Sequence, residues 1–143
     1  MVSVTTRLPF FVYGTLRPGE HNHDLFLRGR TESEEPARMR GLVLYEGPGY
    51  PYAVEAADGV VTGEVVMAHP EAYDELLRAL DRLEDYTPGD PRNLYERVDR
   101  EVTRADGTVL RAWVYVAASA VAARLRAHGE LIESGDWRSP RFI

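Results

Sequence analysis

The sequence contains no cysteine. Disulfides, thiolate metal sites and cysteine nucleophiles are removed together, and a reducing compartment suits such a chain. It also lacks any apolar run near the ~20 residues of a membrane span. The start, Met1 to Phe10, has no apolar stretch long enough for a secretory signal. A cytoplasmic location without a membrane partner is therefore expected. Positive charge is not in excess: the net charge is −6 and the pI about 5.2. Nucleic acid is thus disfavoured, because phosphate binding needs a basic face. Arg92, Glu96, Arg97, Asp99, Arg100 and Glu101 interleave as on a solvated mixed-charge surface. Four histidines occur, His21, His23, His69 and His128, but no G-x-S-x-G elbow accompanies them. No G-x-G-x-x-G or P-loop pattern is found. His21-Asn22-His23-Asp24 is the only loop with clustered ligand types. It has no further partner, so it reads as surface and capping residues, with no metal site expected.

What is present suits one domain over residues 1–143. A chain of ~150 residues buries roughly 68–70% of its unfolded surface, enough for a core without staples. Leu8 to Tyr13 is a nearly continuous apolar run ended by Gly14, a strand buried on both faces. Asn22 suits a helix N-cap. Arg38 to Tyr45 reads as a second strand, followed by a turn at Gly47-Pro48-Gly49. Asp58-Gly59 signals a hairpin leading into a strand over Val60 to Met67. Pro70 to Leu83 predicts a helix: Pro70 fits its first position, and Tyr73, Leu76, Leu77, Leu80 and Leu83 share a face. Leu94 to Thr103 and Thr108 to Val116 flank Ala105-Asp106-Gly107 as a hairpin. Ala117 to Ala127 is helix-prone, and the tail from Trp137 reads as loose and extended. The order predicts an α+β protein with a mostly antiparallel sheet. Pattern alone leaves an open sheet and a small barrel both open.

Two places could carry chemistry. Gly14 ends a buried strand, so the turn Tyr13-Gly14-Thr15-Leu16 could present successive N–H groups to a carboxylate. It could equally be an ordinary strand–loop junction. Glu84 follows Leu83 at the helix end, beside the apolar stripe. The negative end of the helix dipole and an apolar setting both raise a carboxyl pKa, which suits proton exchange near neutrality. A surface ion-pair role fits the pattern as well. Helical phase turns Asp81 toward solvent, with Asp85 as the other neighbouring carboxylate. Tyr95 and Arg97 share one strand face, as do Trp113 and Tyr115.

These segments together resemble the gamma-glutamylcyclotransferase-like family, which includes gamma-glutamylamine cyclotransferases and avirulence-induced-gene-like proteins. Phe11-Val12-Tyr13-Gly14-Thr15-Leu16 is similar to the family's opening motif, and Gly49-Tyr50-Pro51 to its middle motif. Thr62-Gly63-Glu64-Val65 resembles the strand before the helix. Leu80-Asp81-Arg82-Leu83-Glu84-Asp85-Tyr86, then Leu94-Tyr95-Glu96-Arg97, resembles the stretch with the catalytic glutamate. Ala112-Trp113-Val114-Tyr115-Val116 looks like its last core strand, and Ile132 to Trp137 like a bacterial tail. The ordered combination is specific, though no single motif is. Asp85 stands where many members have glycine, a departure that bears on the backbone beside Glu84.

The resemblance implies a small mixed β-barrel with packed helices. It implies conversion of a γ-glutamyl amine, amino acid or peptide to 5-oxoproline by attack of the α-amine on its own γ-carbonyl. Such an intramolecular attack asks for no protein nucleophile, metal or cofactor. Glu84 would be the general acid/base. Gly14, Thr15 and Leu16 would hold the α-carboxylate next to Tyr13, with Tyr95 and Tyr115 as pocket walls or hydrogen-bonding groups. Arg17 would add attraction or face solvent. A non-catalytic carboxylate-binding barrel, an enzyme for a larger γ-glutamylated molecule, and a structural or regulatory partner protein, for which no large exposed apolar stripe speaks, are the rival readings. The sequence leaves the leaving amine and the oligomeric state open.

Overall fold

The structure is a computed structural model and describes residues 7–138. Five strands form a closed mixed barrel. They are β1 (Phe10–Val12), β2 (Thr31–Glu46), β3 (Pro51–Ala68), β4 (Tyr95–Arg104) and β5 (Val109–Ala117). Their order is β3-β1-β5-β4-β2, and β2 closes the ring by pairing with β3. Only β1–β5 is parallel, at Phe10 opposite Trp113; the other pairs are antiparallel. A two-residue strand β6 (Leu131–Ile132) extends β2 at Leu44 and Tyr45. Two α-helices accompany the barrel, α1 (Tyr73–Leu83) and α2 (Ser119–His128).

Alternation along the strands divides the apolar residues into two cores. Phe11, Tyr13, Met39, Leu44, Val61, Val102 and Val114 fill the barrel interior. Phe10, Val12, Tyr52, Val54, Tyr95 and Tyr115 face outward and pack with Leu76 and Leu80 of α1 and Val121 and Leu125 of α2. The barrel wall is therefore apolar on both faces where helices cover it, which is why β1 reads as a continuous apolar run.

The expected hairpin at Asp58-Gly59 is not there. β3 runs straight through these residues, and β2 turns into β3 at 47–50, with Glu46 opposite Pro51. Gly59 serves close approach instead: a Cβ there would lie 2.1 Å from the carbonyl oxygen of Leu42. The register slips between Arg40 and Leu42, where Gly41 has φ +87°. β2 also begins at Thr31, earlier than Arg38, because exposed Glu32 and Glu35 and the proline at 36 hid its first half. The expected helix from Pro70 is a 3-10 turn, Pro70–Ala72, leading into α1. Asn22 precedes a π-helical turn, His23–Leu27, but does not cap it. Its backbone is already helical (φ −74°, ψ −22°), whereas a capping residue needs an extended one.

The expected loose tail is wrong at its start. Trp137 is 4% exposed and joins the barrel-interior core; residues 139–143 lie outside the described part. The chain reaches that position because Thr62 N–H donates to Gly135 O at 2.8 Å.

α1 ends in a Schellman-type cap, with Glu84 as its C-cap residue. Tyr86 N–H donates to Asp81 O (2.8 Å), and Asp85 N–H to Arg82 O (3.1 Å). Asp85 consequently sits at φ +52°, a left-handed conformation that favours glycine. Asp85→Gly is expected to gain about 0.5–1 kcal/mol, or roughly 2–4 °C in Tm, without moving Glu84. Asp85→Val should lose at least as much. Thermal melts of the two variants check this, and equal melting of both would refute the strain.

Candidate active site

A cavity of about 540 Å³ lies between the outer face of the barrel and the C-terminal end of α1. The turn after β1 forms one side, the 48–51 loop another, and Leu80, Leu83 and Glu84 a third. All the sequence-derived site residues line it: Tyr13, Gly14, Thr15, Leu16, Glu84, Tyr95 and Tyr115. Residues as far apart as Tyr13 and Tyr115, 102 positions, meet because β1 pairs with β5 and α1 packs across both.

Glu84 is brought in by the end of its helix. Burial pushes its carboxyl from the ordinary 4.5 up to about 7. Burial is the sole cause, since no cation within the described residues pairs with it. A group of this kind is part carboxylate and part acid at neutral pH, the condition for proton transfer in both directions.

On the opposite side, Arg17 N–H closes the turn by donating to Gly14 O at 3.0 Å. Among the described residues, the N–H groups of Gly14, Thr15 and Leu16 have no acceptor, although Gly14 and Leu16 are buried. Buried N–H groups ordinarily have partners, so this turn is suited to an anion. Thr15 Oγ1 accepts from Asn22 Nδ2 at 2.8 Å, which fixes the threonine rotamer. Gly14 is required by contact: a Cβ there would lie 2.9 Å from Cδ of Pro51. Gly14→Ala should push the 48–51 wall outward. A drop of about ten- to a hundredfold in kcat/KM is expected, and steady-state kinetics with unchanged constants would count against that contact.

The tyrosines are committed to the protein. Tyr13 turns its ring into the barrel interior, and its hydroxyl donates to Tyr115 O at 2.5 Å. The Tyr95 hydroxyl donates to Pro51 O at 3.0 Å, and its ring stacks on Tyr52 at 5.0 Å. The Tyr115 hydroxyl donates to Asp81 Oδ1 at 2.6 Å. Burial pushes all three phenols well above their ordinary range, so they stay neutral. They can form walls and accept hydrogen bonds, with their protons already placed.

Two sequence expectations are corrected. Asp81 does not turn to solvent: it is 19% exposed and holds both Tyr115 and Arg97. The spacing i, i+3 that sets Glu84 at the cavity brings Asp81 to the same face; that relation was readable. Arg17 neither faces solvent nor approaches the cavity. It is 2% exposed and pairs with Glu64 and Asp136 behind the turn. His23 Nε2 lies 2.8 Å from Glu34, and no cluster of three or more His, Asp or Glu suited to a metal occurs among the described residues. No helix among them is long and apolar enough to cross a membrane. Trp113 also lines the cavity, a residue that sequence pattern placed beside Tyr115 without a role.

A carboxyl shifted upward by burial and a turn whose amides have no described acceptor thus line one apolar cavity of small-molecule size. Over residues 10–139 the chain matches the family described as "Gamma-glutamyl cyclotransferase, AIG2-like", and it belongs to that family. It is 39% identical over 107 residues to gamma-L-glutamyl-butirosin B gamma-glutamyl cyclotransferase of Niallia circulans. That match covers 74% of this chain and 64% of the relative, so the chain spans less than two thirds of that protein. A solution structure from Arabidopsis thaliana aligns with TM-score 0.64 and 28% identity, covering 91% of this chain and 72% of that one. An AIG2-like protein of Mus musculus shares the fold, with TM-score 0.61, 24% identity and 78% of each chain covered.

Proposed function

We propose that the protein cyclises a γ-glutamyl amine, amino acid or peptide, releasing 5-oxoproline and an amine. The observation that carries this reading is the Glu84 carboxyl, raised to about 7, in the same cavity as the amides of Gly14, Thr15 and Leu16. The amides hold the α-carboxylate without formal charge. That anchor fixes the α-nitrogen near its own γ-carbonyl, and such orientation supplies several kcal/mol, with an upper range of roughly 7–11.

Glu84 as carboxylate takes one proton from the α-ammonium. The freed nitrogen attacks the γ-carbon, and the C–N bond to the leaving group breaks. The ring nitrogen sheds a second proton as the lactam forms. Both protons end on the leaving amine, which departs as an ammonium, so charge and atoms balance. Tyr95 and Tyr115 wall the reacting chain and exclude water. The chemistry draws on no metal or cofactor.

The base form of Glu84 must dominate for the first step. The kcat/KM of the reaction is therefore expected to rise with pH and level off above about 7. A profile flat from pH 5 to 8 would remove Glu84 from the free-enzyme ionisation.

The volume of about 540 Å³ also favours a second reading, an enzyme for a larger γ-glutamylated molecule, since pockets of 300–1,000 Å³ take drug-sized ligands. The Niallia relative is named for a γ-L-glutamyl-butirosin B substrate. The test is 5-oxoproline release from a panel of γ-glutamyl amines, amino acids, peptides and one bulky γ-glutamylated amine. Release from the small donors supports the first reading, and release from the bulky donor alone supports the second. Binding with no release from any donor leaves a carboxylate-binding barrel.

A further inference from the structure

The end of α1 carries two carboxylates on one face, Asp81 and Glu84. Their surroundings differ. Arg97 on β4 donates through Nε to Asp81 Oδ1 at 2.9 Å and through Nη2 to Oδ2 at 3.3 Å. Tyr115 on β5 adds its hydroxyl at 2.6 Å. Arg97 and Asp81 are 15% and 19% exposed, so solvent screens the pair only weakly. The guanidinium lies over Trp113, 4.3 Å from the ring centre, and 5.6 Å from that of Tyr86. Tyr86 lies two residues beyond Glu84 and closes the cap of α1 through its N–H. Trp113 Nε1 in turn donates to Tyr73 OH at 3.1 Å, at the start of α1. Arg97 thus joins the last turn of α1 to the β4–β5 wall. Trp113 and Tyr115 line the cavity, while Asp81 and Arg97 stand behind it.

We propose that Asp81 and Arg97 are positioning residues for the reaction at Glu84, their ion pair fixing the end of α1 against the barrel and cancelling a charge that would otherwise act on the Glu84 carboxylate. This rests on the reading of Glu84 as the acid/base. Two like charges at i, i+3 on a helix disfavour each other's ionisation. With Asp81 neutralised, burial alone sets Glu84. The pair therefore decides where on the pH scale Glu84 works.

The other titratable groups facing the cavity are Tyr13 after β1, His21, Tyr50 before β3, Tyr95, Tyr115 and Asp85, and Tyr52 on β3 lies outside the lining but within reach of the Glu84 charge. Burial holds Tyr13, Tyr52, Tyr95 and Tyr115 neutral at working pH. His21, Tyr50 and Asp85 are common to the variants below, so they cancel in the comparison.

The test follows the Glu84 side-chain carboxyl by ¹³C NMR titration of the whole protein, with the resonance assigned by its loss in Glu84→Gln. Arg97→Met leaves Asp81 unpaired and should move the Glu84 midpoint alkaline by about one pH unit. Asp81→Asn leaves Arg97 unpaired and should move it acid by a similar amount. The double variant, Asp81→Asn with Arg97→Met, should return close to the starting midpoint. A purely packing role would move all three in one direction, and that result overturns the proposal; so do three unmoved midpoints. If Arg97→Met fails to fold, Arg97→Gln and the Asp81→Asn titration carry the same opposed signs. The acid limb of 5-oxoproline release should follow the NMR midpoint in each variant. Opposed midpoints with an unmoved limb would sink the catalytic reading of Glu84 while leaving the charge balance standing.

Discussion

Glu84→Gln is expected to lower 5-oxoproline release about 10²–10⁴-fold and at the same time to stabilise the protein above neutral pH. Glutamine keeps the size and polarity of the side chain but neither accepts nor returns a proton. Anion binding at the Gly14–Leu16 turn should survive. The stability gain follows from linkage. The folded carboxyl titrates at about 7 and an unfolded one at 4.5. Between those values the folded state holds more protons, so stability falls as pH rises through that window. The loss is complete above about 7 and absent below 4.5, and it amounts to roughly 2–4 kcal/mol. Glutamine has no charge to desolvate. Its advantage should therefore be present at pH 8 and vanish at pH 4. Urea melts of both proteins at the two pH values, with donor turnover measured alongside, provide the check. Turnover equal to wild type would end the acid/base assignment. Stabilisation equal at both pH values would show that burial of the charge is not its cause.

The second large effect belongs to Arg17, which is remote from the chemistry. Its Nε and Nη2 reach the Glu64 carboxylate at 2.8 and 3.1 Å, and its Nη1 reaches Asp136 Oδ1 at 2.5 Å and Trp137 O at 2.8 Å. Arg17→Met would leave Glu64, 13% exposed, without its cation, and would strip the Trp137 carbonyl of a donor. Removing one member of a buried pair costs about 3–5 kcal/mol. In a domain of this size a Tm loss of ten degrees or more is expected. Replacing both partners, Arg17→Met with Glu64→Leu, should recover part of the loss, since no charge is then stranded. A single-variant loss below about 1 kcal/mol would mean that solvent or a neighbour replaces the guanidinium. Because Arg17 directly follows Leu16, the variant should also raise KM at temperatures where it remains folded.

The legible parts of this protein are those with short-range causes. The apolar run before Gly14, the face of α1 and the Ala105-Asp106-Gly107 hairpin each rest on neighbours within a few residues, and each is present. The barrel came from resemblance, because alternation does not distinguish a sheet that closes from one that stays open. Asp58-Gly59 misled because a glycine can serve a turn or a close approach, and only the Leu42 carbonyl decides which. Asp81 misled because phase was judged against the leucine stripe, while the partner that buries it, Arg97, lies on another element. Arg17 could not be placed at all. Its partners are 47 and 119 residues away, and no local pattern reports on them.

That last separation has a consequence in time. During synthesis, β1 and its donor turn are made early, yet Asp136 and the Trp137 carbonyl follow 119 and 120 residues later. At ~5–20 residues per second the turn waits roughly 6–24 s for its clasp. Until then, Arg17 and Glu64 hold the turn from one side only. The turn opposite Glu84 thus firms up with the tail, and a nascent chain arrested before residue 136 should carry Glu84 on a formed helix with nothing yet firm for it to face.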